Sequence, residues 1–266
     1  EGLRRNLRLV VHEGPGGELR YLVFNMNTMP GATPEQKLAV RKAVATVVDR
    51  DALSRDVYKG TYAPAYSVVP QSIDGANEAF KNVYGDRPDV AKARQFLTGA
   101  GIALPVELNL QYNPDHYGVS SSEEYAALKN QLDRTGLFRV NLQSTEWVTY
   151  TAERVKDAYP VYQLGWFPDF PDADNYLTPF FTSDNFIANH FDDPQITRLI
   201  TAEATEPDPA KRTALIGRIQ EELARNHIST LPLLTGKQIA VADKDIDGIL
   251  LDKSFKFQFT PLRKNS

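Results

Sequence analysis

The chain has 266 residues, of which 42% are hydrophobic, so it can form one large domain or two smaller domains with a sizeable core. Its formal net charge of -4 gives no general attraction to nucleic acid or anionic lipid, and no apolar run approaches the roughly 20 residues of a membrane span. The absence of cysteine excludes disulfides, thiolate metal sites and a cysteine nucleophile.

The first 27 residues have the pattern of β-strands. Leu7, Leu9 and Val11 alternate, a Gly-Pro-Gly-Gly turn spans 14–17, and an apolar run covers Leu19–Phe24. Two strands separated by such a turn predict a hairpin.

Two helices and a long turn-rich segment follow. Thr33 and Gln36 can form a capping box around Pro34, which predicts a helix start with a buried valine-rich face. A second short helix is expected over 51–58. Residues 60–86 are rich in glycine and proline, and a loop of this length is either functional or packed by its own aromatic residues.

The middle of the chain predicts a βαβ unit. Pro88 opens a helix, and Val106–Tyr112 alternates as a half-buried strand. Ser121 and Glu124 form a second capping box at the start of a helix of about four turns, and residues 138–142 alternate again. A right-handed crossover would make the two strands parallel.

The last part of the chain predicts further helices and strands. A short helix over 147–158 leads to the strand Val161–Trp166, and two helices begin at Asp193-Pro194 and Asp208-Pro209. Three further strands are expected at 230–234, 238–242 and 255–259.

Residues 164–176 are the stretch around which the sequence is organised. Two prolines forbid regular helix, aromatic and acidic residues alternate, and a helix over 175–181 is predicted to follow. Open α/β sheets usually bind ligands at segments of this kind, which follow the end of a strand. Alternatively, the segment is a proline-braced loop whose carboxylates cap the next helix.

Signatures of enzymes and metal sites are missing from the sequence. It has no Gly-x-Ser-x-Gly elbow and no second histidine after His12-Glu13, and its other histidines are scattered. We therefore expect no catalytic activity, no metal and no cofactor. A hydrolase that uses Asp169 with Asp172 remains an alternative.

Several segments, in order along the chain, resemble the peptide-binding family of ABC-importer solute-binding proteins, the dipeptide- and oligopeptide-binding type. The matching residues are Tyr21 to Asn27; Val40 to Ala43 with Val48 to Leu53; Gly165-Trp166, Asp169, Pro171-Asp172 and Asn175-Tyr176-Leu177; Asp193-Pro194, Leu199-Ile200, Asp208-Pro209 and Lys211-Arg212; and Leu231-Pro232-Leu233.

The resemblance implies an α/β fold, a periplasmic-binding-protein-like lobe with a mixed sheet flanked by helices. Because members are about twice this long, it also implies that the chain is the C-terminal half of one, with any leader peptide in the other half. Residues 1–26 would be strands of an incomplete first lobe, 27–234 the ligand-binding lobe (the third domain of the family), and 235–266 return strands to the first lobe. Hinge strands are expected near residues 25–27 and 231–235.

The resemblance also implies the ligand-binding residues. Asp169 takes the family position that grips a peptide α-ammonium, and flat aromatic rings beside it can cover the ligand. The expected ligand-binding residues are Gly165, Trp166, Asp169, Phe170, Tyr62, Tyr66 and Asn27. The sequence departs from some members in having no cation shortly before Gly165-Trp166, where Tyr162, Gln163 and Leu164 stand.

The function implied is substrate capture outside the cytoplasm for an ABC importer, with short peptides as ligands and permease subunits as partners. We expect a monomer, secreted or periplasmic, with membrane attachment only through a lipid anchor on the other half. A non-peptide ligand (a nickel chelate, haem, an opine or an oligosaccharide) and a sensor that has lost transport remain alternatives.

Overall fold

The computed structural model describes residues 2–254 and 256–265. The strands are β1 Leu9–Gly14, β2 Leu19–Phe24, β3 Tyr62–Pro64, β4 Val106–Tyr112, β5 Phe138–Ser144, β6 Val161–Trp166, β7 Thr230–Gly236, β8 Gln238–Asp243, β9 Ile246–Asp247 and β10 Arg263–Lys264. The helices are α1 Pro34–Val47, α2 Arg50–Ala52, α3 Ala79–Tyr84, α4 Val90–Gly99, α5 Ser121–Arg134, α6 Trp147–Arg154, α7 Thr178–Phe181, α8 Pro194–Thr205 and α9 Pro209–Glu222. Short 3-10 turns span Leu3–Arg5 and Ala173–Tyr176, and π turns span Leu53–Val57 and Leu223–His227.

A six-stranded mixed sheet forms the centre of the fold. Its strand order is β3-β7-β2-β6-β4-β5, with β2 antiparallel to both neighbours and β4 parallel to β5 and β6. All six residues of β2 are buried, which is why this strand is apolar almost throughout. The α/β class and the parallel βαβ unit built from β4, α5 and β5 are confirmed.

A two-stranded ribbon stands apart from this sheet. β1 pairs with β8 rather than with β2, so the predicted hairpin is wrong. The glycine segment between β1 and β2 instead crosses the segment between β7 and β8. At the crossing, a Cβ on Gly16 would lie 2.0 Å from the carbonyl oxygen of Gly236, an approach that only glycine permits.

The sheet pairing shows where the chain passes between ribbon and sheet. β2 is hydrogen-bonded between β6 and β7 at the centre of the larger sheet. The chain passes between ribbon and sheet at residues 14–18 and 236–238, and the predicted domain boundaries after residues 26 and 234 stay a prediction. Residues 25–27 follow the opposite end of β2, where Phe24 pairs with Val161.

Three local expectations also need correction. Ser121 does not cap α5: its hydroxyl accepts a hydrogen bond from Gln163, and Glu124 is buried instead of reaching back to the helix start. The helix expected over 175–181 is split into the 3-10 turn and α7. In the strand expected over 255–259, residue 255 lies outside the described residues, and Phe257 forms an isolated bridge with Leu251.

Within the described ranges, none of the helices combines the length and apolarity that crossing a membrane requires.

Candidate functional site

The central bend, residues 166–176, begins where β6 ends. Its geometry depends on the buried side chain of Asn175, whose amide oxygen accepts hydrogen bonds from the indole Nε1 of Trp166 at 2.9 Å and from the backbone N–H of Asp169 at 3.0 Å. The indole also packs edge-on against Phe180, with ring centroids 5.0 Å apart. One side chain therefore fixes both the aromatic ring and the backbone at Asp169.

The carboxylate of Asp169 is exposed, as is the neighbouring ring of Phe170. Within the described residues, the Asp169 side chain has no hydrogen bond or ion pair, although its backbone is held by Asn175. Pro168 is buried, and a Cβ on Gly17 would touch its ring, so the bend packs on the crossing segment. The Tyr176 hydroxyl adds a second link by donating to the Gly17 carbonyl at 2.5 Å.

A cavity of about 640 Å³ opens beside the bend, between the sheet and the ribbon. Phe167 lines it from the bend, Tyr62 from β3, and Lys237 from the crossing segment. His116 lines it from the loop after β4, with its ring stacked on Trp147 at a centroid distance of 3.6 Å. The cavity thus has aromatic walls and at least one cation on its ribbon side.

The floor of this cavity is the side chain of Arg20, which lies in β2. All five of its N–H donors are used, by Glu18, Tyr58, Glu124, Tyr62 and the Tyr117 carbonyl, at distances of 2.5–3.2 Å. The two tyrosine hydroxyls in turn donate to the carboxylates, Tyr58 to Glu124 and Tyr62 to Glu18, each at 2.6 Å. Arg20 therefore uses its donors within the chain and holds the surrounding carboxylates and tyrosines in place.

Burial controls the protonation of this network. Burial raises the pKa of the Glu124 carboxyl, and the Arg20 guanidinium opposes that rise. For Arg20, burial alone would lower the pKa, but the carboxylates of Glu124 and Glu18 raise it above its ordinary value. The carboxylates therefore stabilise the charged form of Arg20 in spite of its burial.

Of the other expected ligand-binding residues, one lines the cavity and the rest lie elsewhere. Gly165 is buried beneath Tyr117, because a Cβ there would lie 3.0 Å from that ring. Tyr62 lines the cavity, whereas Tyr66 is buried with its ring 5.0 Å from the Arg50 guanidinium. Asn27 follows the far end of β2, whereas Trp166 pairs with Leu19 at its start, so the length of the strand, about 17 Å over five residue steps, lies between them.

Sequence reasoning missed Glu18, Arg20, His116 and Lys237. Glu18 and Arg20 carry a weak signal, since two opposite charges at positions i and i+2 share one face of a strand that is otherwise apolar. His116 and Lys237 carry none, because they come from loops that meet only in the folded chain. Among the described residues, no group of three or more histidines and carboxylates could hold a metal ion.

Comparisons with known proteins agree with this architecture. Residues 1–187 match the family model of "bacterial extracellular solute-binding proteins, family 5 Middle". The oligopeptide-binding protein OppA of Bacillus subtilis is 25% identical over 91% of this chain and 44% of its own length. A dipeptide-binding protein of Pseudomonas aeruginosa is 25% identical over 100% of this chain and 48% of its own length.

Solved structures show the same fold. HbpA2 from Haemophilus parasuis superposes with a TM-score of 0.86 at 19% identity, covering 100% of this chain and 52% of that one. The dipeptide-binding protein from Pseudoalteromonas sp. SM9913, in complex with Met-Leu, superposes with a TM-score of 0.81 at 22% identity, covering 99% and 51%. The chain therefore spans about half the length of the relatives it matches.

Proposed function

The chain belongs to the family 5 bacterial extracellular solute-binding proteins, as its ordered motifs predict, and from this premise we propose that the whole protein captures short peptides for an ABC importer. It would act outside the cytoplasm as a monomer and deliver its ligand to the permease subunits, and any membrane attachment would be through a lipid anchor outside this chain. The lobe described here would supply one wall of the ligand cleft, and residues 14–18 and 236–238 would flex as the cleft closes.

The observation that carries this proposal is the carboxylate of Asp169, which has no hydrogen bond or ion pair within residues 2–254 and 256–265, on a backbone held by Asn175. A peptide α-ammonium that is taken out of water needs a carboxylate, because an unpaired buried charge is strongly disfavoured. Asp169 offers that carboxylate next to the indole of Trp166, which is held in place by Asn175. Phe170 is exposed beside it and can cover an apolar part of the ligand.

The register of the sheet supports a second contact, at the ligand's carboxylate. Trp166 and Thr235 both pair with Leu19, so β6 and β7 end on the same side of the sheet. The two strand ends are separated by two strand spacings, or about 10 Å. Asp169 lies three residues beyond the end of β6, and Lys237 follows the end of β7 and lines the cavity. The Nζ atom of Lys237 lies 3.4 Å from a Glu13 oxygen and can be shared with a ligand.

This separation of charges indicates the length of the ligand. An extended peptide spans at most about 3.3–3.6 Å per residue, so two or three residues place an α-ammonium and an α-carboxylate about 7–10 Å apart. We propose that such a zwitterion spans Asp169 and Lys237. Among the relatives are proteins named dipeptide-binding and di/tripeptide-binding, which supports the same ligand class.

The test is calorimetric titration of the full-length protein with a free dipeptide, its N-acetyl form and its C-terminal amide. We expect Asp169→Asn to weaken free-dipeptide binding by about 2–5 kcal/mol, since the ammonium would stay buried without its charge partner. Asp184→Asn, at another exposed aspartate, is the matched control and should leave the affinity unchanged.

Three results would overturn the proposal. Unchanged affinity in Asp169→Asn would discard the role of that carboxylate. A nickel chelate, haem, an opine or an oligosaccharide carried by the purified full-length protein in native mass spectrometry would replace the peptide as ligand. Turnover of a peptide or glycoside that is lost in both Asp169→Asn and Asp172→Asn would favour the carboxylate-dependent hydrolase.

A further inference from the structure

An ion pair links the central bend to the helical hairpin of α8 and α9. The guanidinium of Arg212, in the first turn of α9, donates to both oxygens of Asp172, from Nη1 at 2.9 Å and from Nη2 at 2.5 Å. Its Nε donates at 2.9 Å to Glu203 of α8, a carboxylate that is completely buried. Three donors on one planar group fix its orientation, which a lysine could not do.

Asp172 is also hydrogen-bonded to the turn that contains Asn175. The Asp172 carboxylate accepts the backbone N–H of Asp174 at 2.9 Å, and its carbonyl oxygen accepts the N–H of Asn175 at 3.2 Å. These two bonds shape the 3-10 turn that presents the Asn175 side chain. The Asn175 oxygen then holds the Trp166 indole and the Asp169 backbone.

We infer that Arg212 is a positioning residue for ligand binding, acting through Asp172 and Asn175 to hold Trp166 and Asp169 in their binding geometry. The inference rests on the proposed function, because the group being positioned is the carboxylate that receives the ligand ammonium. Arg212 itself bonds to Asp172 and is not among the residues that line the cavity. It controls affinity without being a contact residue.

The physical reason is the exposure of the bend. Asp169 and Phe170 are exposed, and the Asp169 carboxylate has no partner of its own among the described residues. Pro168 and the Tyr176 hydroxyl attach the bend to the crossing segment at Gly17. The bidentate pair adds an attachment to α9 at Asp172, between Asp169 and Asn175, so losing it would add to the conformational entropy that ligand binding must remove.

The test compares Arg212→Ala, Arg212→Lys and the control Arg218→Ala, an exposed arginine on the same helix, in the full-length protein. The readout is the ratio of the affinities for a free dipeptide and its N-acetyl form. We expect Arg212→Ala to lower this ratio about tenfold or more, because only the free amine uses Asp169. Arg212→Lys should restore it in part, and Arg218→Ala should not change it.

Two further measurements separate this inference from the proposed function. Arg212→Ala should also speed hydrogen exchange of the Asp169 amide, which needs no ligand to observe. In the Asp169→Asn background, Arg212→Ala should have little further effect on the affinity ratio, because both changes disable the same contact.

The outcomes are distinct. If Asp169→Asn lowers the ratio while Arg212→Ala leaves both the ratio and the amide exchange unchanged, the positioning role is wrong and the proposed function stands. If Arg212→Ala speeds amide exchange at Asp169 but Asp169→Asn leaves the ratio unchanged, the proposed ammonium contact fails although the link to the bend is real. An equal loss of affinity for both peptide forms in Arg212→Ala would reduce the residue to a general structural role and overturn the inference.

Discussion

Arg20 lies directly opposite Gly165 in the antiparallel pairing of β2 and β6, and the two residues support the same loop. The Arg20 guanidinium donates to the Tyr117 carbonyl, and the Tyr117 ring lies over Gly165, where a Cβ would be 3.0 Å from it. The buried Arg20 and the absence of a side chain at Gly165 together fix the position of the loop that contains Tyr117 and borders the cavity.

Replacing Arg20 by methionine should destabilise the protein by about 3–5 kcal/mol, because the carboxylates of Glu18 and Glu124 would remain buried without their cation. Urea unfolding of the full-length protein measures this change. Arg139→Met is the control: Arg139 forms an exposed pair with Glu107, and its loss should cost less than about 1 kcal/mol. Equal effects of the two substitutions would contradict our account of the network.

The contrast between β6 and this network shows what the sequence can predict. The strand Val161–Trp166 was predicted with its observed bounds, because a short apolar run lies between two prolines and needs no distant partner to be recognised. Glu124 fits the pattern of a capping box equally well, but its partner Arg20 is 104 residues away. Only the folded chain shows that the carboxylate is used for that buried cation instead.

Long-range pairing also explains the error at the N-terminus. Leu9–Gly14 and Leu19–Phe24 have the spacing of a hairpin, and the glycines between them fit a turn. The partner of β1 is nevertheless β8, near the other end of the chain, and the glycines serve a strand crossing. For the site, the bend was predicted from local residues and the role of Asp169 from the family resemblance. The cavity beside the bend could not be predicted, because distant segments of the chain form it.

Glu203 should give the protein a pH-dependent stability. Burial, together with the nearby charge of Asp174 and against the attraction of Arg212, raises the pKa of Glu203 from 4.5 to about 7. A carboxyl whose pKa is raised on folding stabilises the folded state below the unfolded pKa, and this contribution is lost as the pH rises through the folded pKa. We expect the free energy of unfolding to fall by about 1–3 kcal/mol between pH 4.5 and pH 8 from this group alone.

Urea unfolding of the full-length protein at several pH values, for wild type and Glu203→Gln, tests this expectation. The glutamine cannot ionise, so the profile of the variant should be flatter between pH 5 and pH 8. Glu221→Gln, at an exposed glutamate of α9, should keep the wild-type profile. Parallel profiles of wild type and Glu203→Gln would show that Glu203 does not titrate in this range.

Gly217→Ala should stabilise the protein by about 0.5–1 kcal/mol, because Gly217 lies in the interior of α9 and glycine is the weakest helix former after proline. A Cβ at this position meets no atom within 4 Å, so the gain in helix propensity is not offset by a clash. Thermal unfolding measures the change as a rise in Tm. A fall in Tm would mean that α9 packs against a surface that the described residues do not include.

Gly16→Ala should have the opposite effect and a larger one, because its Cβ would lie 2.0 Å from the Gly236 carbonyl oxygen and 3.2 Å from the backbone nitrogen of Gln238. These neighbours are backbone atoms and cannot rotate away, so one of the crossing segments must move, at a cost that should exceed the about 1–3 kcal/mol typical of overpacking. The same substitution should affect ligand binding, because residues 14–18 and 236–238 are proposed to flex as the cleft closes. A displaced crossing should weaken ligand binding even in molecules that remain folded.

Calorimetric titration of folded full-length Gly16→Ala, with Gly217→Ala as the control, measures this effect on binding. Wild-type stability and affinity in Gly16→Ala would show that the two segments do not approach each other as closely as this crossing requires.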